Sequence, residues 1–133
     1  MTQGTYQCFR IGAGVLVAMG LAQLAGHFGS KGKPVNGMEE QMRMLMDTYR
    51  TNMMGSMRST QDLYDGFSLA FVVYSLGLGA LAFVLPPQKK MSIVYAGMLA
   101  VMTALSLTYW FAAPTVFLAV AALLFAASAL LDR

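Results

Sequence analysis

The sequence predicts an all-α membrane protein with four transmembrane helices in an antiparallel bundle and one amphipathic extramembrane helix between the first two spans. Composition is the first indication, because apolar residues make up 57% of the 133-residue chain and charged residues only 11%. Charged residues are about 25% of a typical soluble domain, and a protein this small could not bury so much apolar surface in water. The other indications are four long apolar segments and a methionine-rich segment with helical periodicity.

The four predicted spans cover residues 11–28, 67–85, 91–111 and 114–131. Each approaches the roughly 20 residues that a spanning helix needs, and none contains Asp, Glu, Lys or Arg. Pro86 and Pro87 end the second span because proline cannot continue a helix, and Pro114 suits the first turn of the fourth span. Short connections after the second and third spans predict antiparallel neighbours, so residues 1–133 are expected to form one integral membrane domain.

We expect the first span to be retained in the mature protein. Arg10 and the small residues Ala18 and Gly20 resemble the positive flank and cleavage site of a signal peptide. A cut at that site would leave an apolar region of only residues 11–17, which is at the short limit for such signals.

The segment between the first and second spans holds seven of the chain's twelve methionines, within residues 38–57. If residues 38–55 are helical, a set of apolar side chains falls within one arc of the helix. These side chains are Met38, Met42, Leu45, Met46, Tyr49 and Met53. Glu39 and Arg43 lie on the other side and are spaced to form an ion pair. We therefore predict an amphipathic helix at the outer mouth of the bundle or in the headgroup layer.

The basic residues predict the orientation of the chain. Arg10, Lys89, Lys90 and Arg133 share one side of the predicted membrane, and the five other Lys and Arg residues are spread along the long loop on the opposite side. Basic residues in compact loops favour the cytoplasm, so the Lys89–Lys90 turn beside Arg10 predicts that both termini are cytoplasmic. The net charge of +3 comes without a basic run or basic–aromatic interleaving, and no nucleic-acid partner is expected.

Small residues predict close helix packing. The first span contains Gly12 and Gly20, and the second contains Gly77 and Gly79. In lipid, close backbone approach supplies much of the energy of helix association. Such contacts form within one chain or between copies, so a homo-oligomer is among the expected partners, together with membrane lipid, a lipid-like ligand and a partner membrane protein.

Connectivity places a polar and aromatic cluster at the outer mouth. Its members are Gln23, His27, Arg58, Asp62, Tyr64, Asp65, Tyr109 and Trp110. Together with Met42, Met46, Tyr49 and Met53 they are the candidate ligand-binding residues. Since methionine side chains adapt to irregular apolar surfaces, we predict a non-enzymatic membrane protein that binds an apolar or amphipathic ligand, or a partner helix, at this mouth.

A small membrane enzyme is the first alternative. His27 is the only histidine, and a hydrogen bond to Asp62 or Asp65 would make it a general acid–base. The structural interpretation of the same residues is simpler. Ser59 precedes Asp62 by three positions, as in a capping box, and Tyr109 and Trp110 are typical of an interfacial aromatic belt.

Copper binding is the second alternative, because thioethers suit Cu(I). The candidate ligands are Met42, Met46, Met53 and Met57, which would converge as pairs four residues apart on a helix, whereas Met44 would point away. Two thioethers make a poor site without a third ligand, so packing or pocket lining is the favoured role of the methionines. The single cysteine, Cys8, excludes a disulfide within the chain. A b-type haem with His27 and a methionine as axial ligands is a less favoured alternative, and the cofactor stays unknown.

The stretch "FRIGAGVLVAMGLAQLAGH" entering the first span, the long polar loop, and "DLYDGFSLAF" opening the second span form a recognisable layout. This layout resembles small bacterial four-helix inner-membrane proteins of the DoxX-like kind. The resemblance implies a four-helix bundle in the bacterial cytoplasmic membrane and carries no site residue over.

Overall fold

The computed structural model of the protein describes residues 3–109 and 112–131. Its elements are α1 (Gln3–Gly29), α2 (Gly37–Thr48), β1 (Arg50–Met53), β2 (Ser56–Ser59), α3 (Thr60–Val84), α4 (Lys89–Tyr109) and α5 (Ala112–Leu131). The helices α1, α3, α4 and α5 are long and apolar enough to cross a membrane. The sequence prediction of four such helices is confirmed.

The ends of these helices follow the local signals in the sequence. α3 begins with a capping box, in which the Ser59 hydroxyl accepts from the Asp62 N–H and the Asp62 carboxylate accepts from the Ser59 N–H, both at 3.0 Å. It ends at Val84, just before Pro86 and Pro87. α5 begins at Ala112, which puts Pro114 within its first turn.

The prediction of one continuous helix over residues 38–55 is wrong beyond Thr48. α2 ends there, Tyr49 adopts an extended conformation, and residues 50–59 form an antiparallel hairpin. The hairpin turn needs two left-handed residues, Met54 with φ of 51° and Gly55 with φ of 87°. Glycine adopts such a conformation without strain, and the Asn52 side chain accepts a hydrogen bond from the Gly55 N–H at 2.9 Å. The helical spacing of Met53 was therefore accidental.

The contacts of α1 define how the long helices are arranged. Its N-terminal half meets the C-terminal half of α3, and Gly20 meets Leu76 nearer the other end, so α1 and α3 run antiparallel. α1 also packs on α5, and α5 packs on α4. The two consecutive helices α3 and α4 are joined by a hydrogen bond from the Tyr95 hydroxyl to the Leu78 carbonyl at 3.0 Å, but their main packing partners are α1 and α5 respectively.

An aromatic cluster fills the bundle near the start of α1. The Phe125 ring lies 5.1 Å from that of Phe9 and 4.7 Å from that of Tyr95, between ring centroids. Beside it the buried Ser128 hydroxyl donates to the Thr5 carbonyl at 3.0 Å and lies 3.2 Å from the Ser92 hydroxyl. These contacts join α1, α4 and α5 and satisfy polar groups inside the bundle.

Arg10 completes the same end of the bundle. Its guanidinium donates to the carbonyls of Ala82 and Phe83, which lie in the last turn of α3. These carbonyls have no partner within their own helix, and a cation is favourable at the negative end of a helix. The guanidinium also lies 5.0 Å from the Tyr6 ring centroid.

Two glycines let α1 and α3 approach each other closely. A Cβ at Gly79 would lie 2.6 Å from Val17 Cγ2 and 3.1 Å from the Ala13 carbonyl oxygen, and a Cβ at Gly20 would lie 2.7 Å from Leu76 Cγ. By contrast, a Cβ at Gly77 would meet nothing within 4 Å. Of the two glycines predicted in the second span, only Gly79 is therefore required for close packing.

We predict that Gly79→Ala destabilises the protein by about 1–3 kcal/mol, the usual cost of overpacking. The added methyl group would meet backbone atoms of α1, which cannot move aside alone. Thermal unfolding of the purified protein in detergent measures the effect. Gly77→Ala is the matched control and should leave the midpoint unchanged or slightly raised, since alanine favours a helix more than glycine. Equal midpoints for the two variants would contradict this packing.

Candidate functional site

A cleft of about 450 Å³ lies where the end of α1, the helix α2 and the start of α3 meet. We call it the mouth cleft. Its apolar wall consists of Met42 and Met46 from α2 and Tyr64 from α3. Five charged side chains complete the lining together with Ser30 and Gln61: Lys31, Glu39, Arg43, Asp47 and Asp65.

Local contacts hold α2 beside the mouth cleft. Asn36 caps the helix by accepting from the Glu39 N–H at 2.9 Å. The Glu39 carboxylate accepts from the Val35 N–H at 2.7 Å and pairs with Arg43, and Arg43 also donates to the Gly32 carbonyl at 2.7 Å. The Val35 N–H and then Arg43 hold the pKa of Glu39 below its usual value. The predicted Glu39–Arg43 ion pair within α2 is confirmed. The bonds of Glu39 to Val35 and of Arg43 to Gly32 fix α2 to the loop that precedes it.

A second ion pair, in the lining of the mouth cleft, joins the loop that follows α1 to α3. The Lys31 ammonium lies 2.9 Å from Asp65 Oδ2. The other Asp65 oxygen accepts from the Gln61 side-chain amide, also at 2.9 Å. Both oxygens of this carboxylate are thus engaged, so Asp65 serves to fasten the mouth end of the α1–α3 contact.

One helical turn further into the bundle, α1 and α3 share a polar contact that the sequence did not reveal. The Ser68 hydroxyl accepts from the Gln23 side-chain amide at 3.3 Å and lies 3.2 Å from His27 Nδ1. His27 is buried, with 5% of its surface exposed. Gln23 and His27 were predicted as neighbours on one face of α1, but their common partner was not. No local pattern distinguishes Ser68 from the other serines of the apolar segments.

The structure brings only part of the predicted site together. Met42, Met46, Tyr64 and Asp65 line the mouth cleft, with Gln23 and His27 one turn below. The other candidates have separate places: Asp62 caps α3, Tyr49 is the C-cap of α2, and Met53 and Arg58 lie on the exposed hairpin. The side chain of Tyr109 and all of Trp110 fall outside the described residues.

The geometry does not assemble the acid–base pair that the enzyme alternative requires. Within the described residues, His27 has neither an ion pair nor a hydrogen bond with Asp62 or Asp65. Its Nδ1 contacts Ser68 instead, while Asp62 binds the Ser59 backbone and Asp65 binds Lys31. The His27–carboxylate pair on which the enzyme alternative rests is therefore not formed among the described residues.

Only one of the two methionine pairs proposed for copper keeps its side chains together, because residues 50–59 form a hairpin. Met53 pairs with Ser56 across the two strands, and Asn52 pairs with Met57. Because successive residues of a strand point to opposite faces, Met53 and Met57 lie on opposite faces and do not converge. Met42 and Met46 remain together as two thioethers in the mouth cleft. The described residues also contain no group of three or more His, Cys, Asp or Glu side chains that could hold a metal ion.

No protein-family model, curated protein or solved structure matches the chain. The resemblance to DoxX-like proteins therefore stays a prediction.

We predict that Ser68→Ala lowers stability by about 1–3 kcal/mol, because the Gln23 amide and the His27 ring would lose their partner inside the bundle. Thermal unfolding in detergent reports the loss. Ser56→Ala, on the exposed strand β2, removes the same hydroxyl where water can replace it and should have no effect. If Ser68→Ala unfolds at the wild-type temperature, the contact does not hold α1 to α3.

Proposed function

We propose that the protein is a non-enzymatic, multi-pass protein of the bacterial inner membrane that binds an amphipathic molecule in its mouth cleft. Membrane embedding is supported by the surface of the bundle. In an apolar 18-residue stretch of each long helix, only 22–39% is buried inside the bundle. Large apolar side chains such as Leu21, Phe67, Val101 and Leu123 are exposed. Such an exposed apolar surface is typical of helices that face lipid.

The proposed orientation places the mouth cleft outside the cell and both termini in the cytoplasm. Arg10 lies at the end of the bundle opposite the cleft, where α3 ends, and Lys89 and Lys90 begin α4 at that end. Positive residues in short connections favour the cytoplasmic side. The acidic side chains Glu39, Glu40, Asp47, Asp62 and Asp65 then all belong to the opposite end.

The observation that supports ligand binding is that one cleft is lined by both apolar and charged side chains. Met42, Met46 and Tyr64 offer a polarizable apolar wall, and the two ion pairs stand beside them. Ligand sites combine apolar walls with a few placed polar groups, and volumes of about 300–1,000 Å³ are usual. An amphipathic molecule satisfies both parts of the lining, whereas a purely polar or a purely apolar molecule satisfies one.

A partner helix is the second candidate occupant, and the exposed apolar side chains of α2 favour it. Met38 and Leu45 on α2 are 82% and 67% exposed. The predicted apolar face of α2 therefore does not cover the bundle, because only Met42 and Met46 of that face line the cleft. An amphipathic helix of another membrane protein, or of a second copy, would cover the rest of this apolar face.

We predict that wild-type protein retains a lipid-like adduct through purification. Met42→Lys should remove most of this adduct, because a charged side chain would replace part of the apolar wall. Native mass spectrometry of the protein released from detergent measures the adduct. Met44→Lys is a closely matched control: Met42 and Met44 lie on the same helix and are each 62% exposed, but only Met42 lines the cleft.

Equal loss of adduct in the two variants would show that α2 contributes only general hydrophobicity and would contradict the proposed site. Retention of the adduct by both would also contradict it.

The orientation has its own test, which uses a variant with Cys8 changed to Ala as background. We predict that Met54→Cys, at the exposed hairpin tip, reacts in intact cells with a maleimide that cannot cross the inner membrane. Lys90→Cys, at the opposite end of the bundle, should react only after the cells are opened. The reverse pattern would place the mouth cleft in the cytoplasm.

A further inference from the structure

The charged side chains that line the mouth cleft differ in whether they have a partner within the protein. Lys31 is paired with Asp65, and Arg43 is paired with Glu39. The oxygens of Asp65 and Glu39 also accept hydrogen bonds from Gln61 and from the Val35 backbone. Both cations of the lining, and two of its three carboxylates, are therefore already engaged with groups of the protein.

Asp47 is the exception. It lines the mouth cleft in the last turn of α2 and is exposed. Among the described residues its carboxylate has no hydrogen bond and no ion pair, since the neighbouring Arg43 is committed to Glu39 and Gly32. With three carboxylates and two cations, the lining carries a formal charge of −1, and the unpaired part of that charge is on Asp47.

The surroundings of Asp47 suit an organic cation better than a metal ion. A hard metal ion takes several oxygen ligands, and the described residues offer no group of three candidate ligand side chains. The lining of the cleft instead combines the Asp47 carboxylate with the Tyr64 side chain and two thioethers. The face of an aromatic ring attracts alkylammonium groups, and quaternary ammonium ions are recognised in this way.

We propose that the mouth cleft selects amphipathic cations, with Asp47 as the counter-ion of an alkylammonium headgroup and with Tyr64, Met42 and Met46 as the wall against which its first methylene groups pack. This inference rests on the proposed binding function and names the class of ligand. The Lys31–Asp65 and Arg43–Glu39 pairs shape the cleft and leave no free positive group in its described lining for an anionic headgroup.

The test compares three probes that share an octyl chain and differ in headgroup: octyltrimethylammonium, octyl sulfate and octyl glucoside. Binding to the full-length protein in a maltoside detergent is measured by calorimetry, with protein-free micelles as the blank. Octyltrimethylammonium should bind about fivefold more tightly than octyl sulfate, which is the upper end of the effect of one exposed charge interaction. This comparison uses wild-type protein and does not depend on the folding of any variant.

Asp47→Asn should weaken octyltrimethylammonium binding by about fivefold and should not weaken that of octyl sulfate. Glu40→Gln is the matched control, because it removes the same charge from α2 at an exposed position outside the cleft lining. Glu40→Gln should bind all three probes as the wild type does.

Equal affinities for the three probes, or equal effects of Asp47→Asn and Glu40→Gln, would overturn the selection of cations. If Met42→Lys still weakened every probe, binding in the mouth cleft itself would stand. If Met42→Lys changed no affinity, both the proposed function and this inference would fall.

Discussion

The close approach of α1 and α3 at Gly20 and Gly79 is the constraint on which the rest of the structure depends. Between helices in an apolar solvent there is little hydrophobic drive, so van der Waals contact at short backbone distance must supply the association energy. At both glycines a side chain would strike the neighbouring helix. The interface therefore accepts one register, which brings Arg10 to the end of α3 and Lys31 to its beginning.

That register also determines the mouth. Going along α1 from Gly20, the partner on α3 changes from an apolar side chain to the Ser68 hydroxyl and then to the Asp65 carboxylate. Polarity thus rises towards the end of the bundle, where water can solvate the charged groups. Because the Lys31–Asp65 pair fixes the start of the loop and Arg43 binds Gly32, α2 stays beside the bundle without covering it. The mouth cleft is the space left between them.

The interior of the bundle combines an apolar core with buried hydroxyl groups. Serine hydroxyls are buried at Ser75, Ser92, Ser106 and Ser128, where each has a partner on its own helix or on a neighbouring helix. Leucine, valine and phenylalanine side chains project outwards. Hydrogen bonds and small-residue packing therefore add to the stability that the buried apolar side chains provide. Leu16, Leu99 and Leu118 belong to that core together with the aromatic cluster of Phe9, Tyr95 and Phe125.

Local sequence determined the helical segments, the capping box at Ser59 and the Glu39–Arg43 pair, because helix geometry fixes contacts between residues three or four apart. The tertiary structure alone decided that Ser68 joins Gln23 and His27, because these residues lie 45 and 41 positions from it in the chain. It likewise decided that Asp47 is left unpaired, because Arg43 binds Glu39 and the Gly32 carbonyl instead. It also decided that residues 50–59 form a hairpin. The spacing of the methionines predicted a helix there, but the chain forms a two-residue turn instead. Gly55 makes this turn possible because glycine adopts the left-handed conformation readily.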